Sequence, residues 1–129
     1  MIKTDLKNIY LGVINKENGY NVKVYIINDF EKVKTIQLLQ GSFQGDNDNF
    51  FDLGHSPYKE INIPAKGYFQ IDYMDDPGQL DFTTYYNIKV DDEIYIQEIN
   101  GSSFSKDKLA NLPIIKEKGY LLGFNKVKE

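Results

Sequence analysis

The densest group of chemically capable side chains in this sequence is GDNDNFFDLGHSP, Gly45 to Pro57. It holds three aspartates, two asparagines, two adjacent phenylalanines and the single histidine of the chain. Closely spaced carboxylates are the raw material of a calcium loop. A helix-flanked calcium loop needs oxygen ligands at positions 1, 3 and 5, glycine at 6 and glutamate at 12. Counted from Asp46, position 3 is Asp48, but positions 5 and 6 are Phe50 and Phe51, and position 12 is Pro57. The pattern fails, and no metal site is expected. A looser site would have to join Asp46, Asp48 and Asp52 to carboxylates from other segments, with Asp75, Asp76, Asp91 and Asp92 the available ones.

His55 has no second histidine to work with, and the chain has no cysteine. Thiolate metal sites, disulfides and cysteine nucleophiles are thereby excluded. A Ser-His-carboxylate triad needs a serine or threonine in a nucleophile context, and no G-x-S-x-G turn occurs. Glycoside hydrolysis would need two acids facing each other across a cleft. The acids on predicted strands are Glu60, Glu93 and Glu98, and the alternation of Ile94 and Ile96 with them sends the glutamates to solvent. Tryptophan, the usual sugar platform, is missing, although ten tyrosines are present. Gly41, Gly45 and Gly54 fit neither a phosphate-cradling loop nor a dinucleotide fingerprint. No catalytic residue and no cofactor is expected.

What remains in the stretch is contact chemistry. Adjacent residues of a strand point to opposite faces, so one of Phe50 and Phe51 is left outward unless a loop folds it under. Outward aromatics on loops are typical anchors of protein interfaces. Phe50, Phe51, Asp52 and His55 are therefore the candidate protein-contact residues. Tyr85 joins them, because Tyr86 belongs to an apolar strand face and Tyr85 then lies on the other, with Asp81 and Thr83.

Charge narrows the partners. All 15 basic residues are lysine, a bias expected of AT-rich coding sequence, so no guanidinium fork exists for phosphate or guanine recognition. Residues 1–34 carry a net +2 and residues 106–129 a net +3, whereas residues 35–105 carry −9. An acidic centre repels a phosphate backbone, and no nucleic acid is expected as a partner. Nothing approaches the roughly 20 apolar residues of a membrane span, and the start MIKTDLKNIYLGVIN lacks a signal-peptide core. No membrane partner is expected, and the location is expected to be virion or cytoplasmic.

The elements that must position these residues read as short strands. IYLGVIN and YNVKVYIIN flank Asn18-Gly19, the strongest short hairpin signal. With Asn18-Gly19 as a two-residue turn, Val13 faces Val24 and Leu11 faces Ile26 on one apolar side, while Tyr10 faces Ile27 and Gly12 faces Tyr25 on the other. TIQLLQ (Thr35–Gln40) is a third strand, and the 41–59 connection is expected to cross between sheets. EINIP (Glu60–Pro64) follows, then YFQIDY, with Phe69, Ile71 and Tyr73 on one face. Asp75-Asp76-Pro77-Gly78 is a turn with glycine at positive φ. QLDFTTYYNIKV places Leu80, Phe82, Thr84, Tyr86, Ile88 and Val90 on one face, and EIYIQEI follows Asp91-Asp92. One short helix is expected near 105–111, and a last hairpin around Glu117–Gly119.

A chain of 129 residues with turn signals every eight to twelve residues forms one domain, 1–129. The expected fold is an all-β antiparallel β-sandwich of about eight strands, with Ig-like or jelly-roll-like connections. The expected function is that of a non-catalytic structural or interaction protein, a subunit docking into a homo-oligomer or hetero-assembly such as a bacteriophage capsid or tail. The alternative is an adhesion module binding carbohydrate, or assisted by calcium, through the 45–57 loop.

Overall fold

The computed structural model describes residues 4–44 and 51–126. They form an antiparallel β-sandwich. In chain order its strands are β1 (Ile9–Ile14), β2 (Val22–Asn28), β3 (Lys34–Gln44), β4 (Phe51–His55), β5 (Lys59–Ile63), β6 (Gly67–Met74), β7 (Thr83–Val90), β8 (Glu93–Ile99), β9 (Leu109–Asn111), β10 (Lys118–Gly123) and β11 (Asn125–Lys126). One sheet has the order β6-β2-β1-β10-β9, and the other has β11-β8-β7-β3-β4, with β5 also paired to β3. Short β4, β9 and β11 take the number above the eight expected. No helix of the described residues is long and apolar enough to cross a membrane.

The first hairpin has the register that its turn dictates: Val13 pairs with Val24, Leu11 with Ile26, Tyr10 with Ile27 and Gly12 with Tyr25. Asn18 and Gly19 both take positive φ, +52° and +99°, as a primed two-residue turn requires. The inward face of this pair, Ile9, Leu11, Val13, Val22, Val24 and Ile26, is fully buried. It packs on Ile36, Leu38, Ile61, Ile63, Tyr86, Ile88 and Ile99 of the opposite sheet. Phe124, also fully buried, carries the chain from β10 to β11 and so from one sheet to the other.

A second, smaller core lies on the outer side of the first sheet. Ile14 and Ile27 are covered there by Leu112, from the turn that joins β9 to β10. Gly12 and Gly119 make this possible. A Cβ on Gly12 would meet Ile27 Cδ1 at 2.8 Å, and one on Gly119 would meet Leu112 Cδ1 at 2.8 Å. Asn28, polar and fully buried, holds the crossover that follows β2. Its amide nitrogen donates to the carbonyls of Lys32, Ile63 and Pro64, and its oxygen accepts from the Phe30 N–H.

Several expectations are corrected. The connection expected to cross between sheets instead begins and ends in one sheet among the described residues. β3 continues to Gln44 and β4 returns beside it, with Gly41 opposite His55 and Phe43 opposite Asp52. The helix near 105–111 is a single 3-10 turn, Lys106–Lys108, followed by β9. So short a helix gains little from its own hydrogen bonds, whereas Leu109–Asn111 pairs with β10. The last hairpin turns at 112–117, where the Leu112 N–H donates to the Glu117 carbonyl, and Lys118–Gly123 is a strand between β1 and β9. Pro77–Asp81 is a 3-10 helix capped by Asp76, and Gly78 is not at positive φ.

Candidate functional site

The inward face of β3 reads Ile36, Leu38, Gln40, Ser42, because alternate residues share a face. Its first half is core, with Ile36 and Leu38 buried. Its second half is amide and hydroxyl, and the neighbouring strand changes in step. Gln40 pairs with Tyr86 and Ser42 with Thr84. Polar groups of this kind are not buried without partners, and where they begin the two sheets part. The edge beside β3 is itself broken at Ser56–Tyr58, between β4 and β5. Opposite that break a cleft opens between β3 and β6.

The cleft has two halves that share Gln40 and Ser56. One, of about 510 Å³, lies over Leu38, Ile61 and Ile71 and is flanked by Tyr58 and Phe69. The other, of about 500 Å³, is lined by Ser42, Asp72, Gln79, Phe82 and Thr84. Tyr58 and Phe69 keep 43% and 40% of their surface exposed, so their rings are open to a ligand rather than committed to the core.

A bulge in β6 aims its side chains into this space. Val24 pairs with Asp72 and Tyr25 with Gln70, which leaves Ile71 as the extra residue. Asp72 and Met74 therefore face inward with Val24 and Val22, while Tyr73 turns outward and hydrogen-bonds Asn21. Phe69, Ile71 and Tyr73 do not share one face, as strict alternation predicts, because the bulge resets the phase between them.

Asp72 is held from both sides. Its Oδ2 accepts from the Tyr86 hydroxyl at 2.8 Å, and its Oδ1 accepts from the Tyr73 N–H at 2.8 Å. Burial pushes the Tyr86 phenol far above its usual range, and the charge of Asp72 pushes it further. Tyr86 is thus a fixed donor in the core that holds the cleft-lining Asp72 from beneath. Gln79 is fixed at the other wall, its Oε1 accepting from the N–H groups of Asp75 and Asp76. The Gln40 carboxamide makes no hydrogen bond among the described residues, although its backbone N–H donates to Ser56 Oγ.

The residues singled out in the sequence lie elsewhere. Phe50 falls outside the described residues, as do Asp46 and Asp48. Phe51, Asp52 and His55 are on β4, of which the backbone pairing alone is described. Tyr85 is on the outer face of the second sheet, half-buried, lying across Gly41 and stacked on Phe43 with ring centroids 6.3 Å apart. A Cβ on Gly41 would collide with the Tyr85 hydroxyl. No group of three or more metal-ligating side chains occurs among the described residues. Asp75 and Asp76 precede β7 and Asp91 and Asp92 follow it, so they lie at opposite ends of the sandwich.

The placement of Ile94 and Ile96 is a further correction. Both are exposed, at 39% and 40%, on the outer face near Tyr85. The cause is the turn: Asp91 and Asp92 both take positive φ, which pairs Val90 with Glu93 and so sets Ile94 opposite Lys89 and Ile96 opposite Asn87. Turn geometry overrides apolar alternation here.

The chain matches no family model, no curated protein and no solved structure. Its chemistry must be read from its own geometry. The cleft residues Gln40, Ser42, Asp72, Gln79, Phe82 and Thr84 were not singled out by motif. The signal that could have found them is the inward face of TIQLLQGS, which changes from isoleucine and leucine to glutamine and serine mid-strand.

Proposed function

We propose that this chain is a non-catalytic binding module whose working surface is the cleft between β3 and β6. The observation that carries this reading is the mid-strand change of β3 from core to polar residues where the sheets part. A fold that needed only stability would continue the apolar face, since each polar inward residue forgoes burial. The site also has the form of a small-molecule pocket, with aromatic and aliphatic walls and a few convergent polar groups. Titrating the isotope-labelled chain with a mixed panel of oligosaccharides and short extended peptides tests it. Amide shifts should cluster on Gln40, Ser42, Asp72, Gln79 and Phe82, with every ligand recovered intact. Shifts confined to other surfaces, or cleavage of a ligand, would refute the reading.

A second reading is docking into a larger assembly, such as a virion, through the outer face of the second sheet. Exposed Ile94 and Ile96, on the same sheet face as the Phe43–Tyr85 pair, favour it. It requires shifts at Ile94, Ile96 and Tyr85 that grow with protein concentration or on adding a partner chain.

A further inference from the structure

We infer that the cleft takes an uncharged, hydroxyl-rich chain, a neutral oligosaccharide. This rests on the cleft being the working surface and names what it would hold. Three observations point to the ligand. The first is charge. The half of the cleft around Gln40, Ser42 and Thr84 has Asp72 as its one charged side chain among the described lining residues, and Lys59, paired with Leu38, lines the other half. The carboxylate of Asp72 is already bonded to Tyr86 and Tyr73. In the half around Asp72 an anionic ligand would find repulsion and no cation among the described lining residues, so phosphates and acidic sugars are disfavoured there.

The second observation is the type of polar group. Carboxamides and hydroxyls each donate and accept, as sugar hydroxyls do, and the cleft brings together Gln40, Ser42, Gln79 and Thr84. The Gln40 amide has no partner among the described residues, and no buried side-chain polar atom among them is left unpaired. The groups that lack protein partners are therefore those that water reaches, where a ligand can replace it. The third is the aromatic content. Tyr58 and Phe69 flank one half and Phe82 the other, giving apolar ring surface for the C–H faces of a sugar. Each half has the volume of a complete small-molecule site, and two halves joined at Gln40 and Ser56 accommodate an oligomer rather than a single ring.

An extended peptide adding to the edge of β6 is the competing occupant. The strand opposes it in two ways. Its bulge at Ile71 breaks the regular ladder that a new strand would need. The N–H of Tyr73 is already taken by the Asp72 side chain, and the Gln70 amide lies 3.4 Å from the Asp72 carbonyl.

The test is an amide-shift titration with cellohexaose, mannohexaose, chitohexaose, a hexagalacturonate and an alternating Val/Thr hexapeptide, each at low and high salt. At least one neutral hexasaccharide should bind with shifts at Gln40, Ser42, Gln79, Phe82 and Thr84, and with an affinity unchanged by salt. Gln40→Ala and Phe82→Ala, each confirmed as folded by its own spectrum, should weaken it roughly three- to tenfold, the size of one neutral hydrogen bond or one ring contact. Tyr85→Ala on the outer face should not. Preference for hexagalacturonate, or binding of the peptide alone, would overturn the oligosaccharide and leave the cleft as the working surface. No shift in the cleft from any of the five would overturn both.

Discussion

Removing the hydroxyl that reaches Asp72 from the core, in Tyr86→Phe, gives opposite results at neutral and alkaline pH. Tyr86 is fully buried and its hydroxyl donates to Asp72 at 2.8 Å. A hydrogen bond to a charged group contributes about 1.5–3 kcal/mol, and because Asp72 is half-buried, water recovers part of it. The expected loss at neutral pH is about 1–2 kcal/mol, a fall in Tm of roughly 5 °C. Alkali reverses the order. Burial raises the phenol's pKa from 10.0, so the folded chain keeps this proton while the unfolded chain releases it. Stability from this group is intact below pH 10 and falls above it by about 1.4 kcal/mol per pH unit. Phenylalanine has no such loss. Urea unfolding from neutral pH to about pH 12 should therefore show the variant less stable at first, and the two curves meeting about one unit above pH 10. The other tyrosines, Tyr25 with its own burial-raised pKa included, are common to both proteins and cancel in the difference. Curves that stay parallel above pH 10 would refute the reasoning, because they would mean that Tyr86 ionises as freely in the fold as outside it.

Two further substitutions test what holds the frame of the cleft. Asn28→Ala removes an amide that ties four backbone groups of the β2–β3 crossover and the end of β5. It should cost about 3 kcal/mol in urea unfolding, and a loss below about 1 kcal/mol would mean that water replaces the side chain. Gly19→Val puts a β-branched residue at φ +99° and a Cβ 2.8 Å from Pro77 Cβ. It should cost about 2 kcal/mol or more, and an unchanged melting temperature would show that the turn can be rebuilt without positive φ.

Much of the fold was legible because it is local. Asn18-Gly19 fixed the first register to the residue, and the inward run Thr84, Tyr86, Ile88 and Val90 followed from period-two alternation. The misreadings also have local causes. Hydrophobicity points Ile94 and Ile96 inward, although the two-residue Asp91-Asp92 turn places Glu93 opposite Val90 and thereby fixes them outward. Alternation puts Phe69 and Tyr73 on one face, across a bulge that it does not reveal. Residues 105–111 carry serine and lysine signals compatible with a helix end, yet the pairing of Leu109–Asn111 with β10 depends on a strand later in the chain.

The candidate site divides in the same way. The sequence by itself determined an all-β chain without cysteine or arginine, the apolar inward face of β7, and the turn that sets the first hairpin. These depend on residue type and on neighbours a few positions apart. The tertiary structure alone decided that β3 and β4 pair in one sheet, and that Asp72 meets Tyr86. It also decided that Gln40, Ser42, Gln79 and Phe82 line one cleft. Such meetings depend on how two sheets twist and part over the core, and on the bulge that rotates β6 between Gln70 and Asp72. No short-range pattern encodes that geometry, because the residues it joins are distant in the chain and adjacent only across the sandwich.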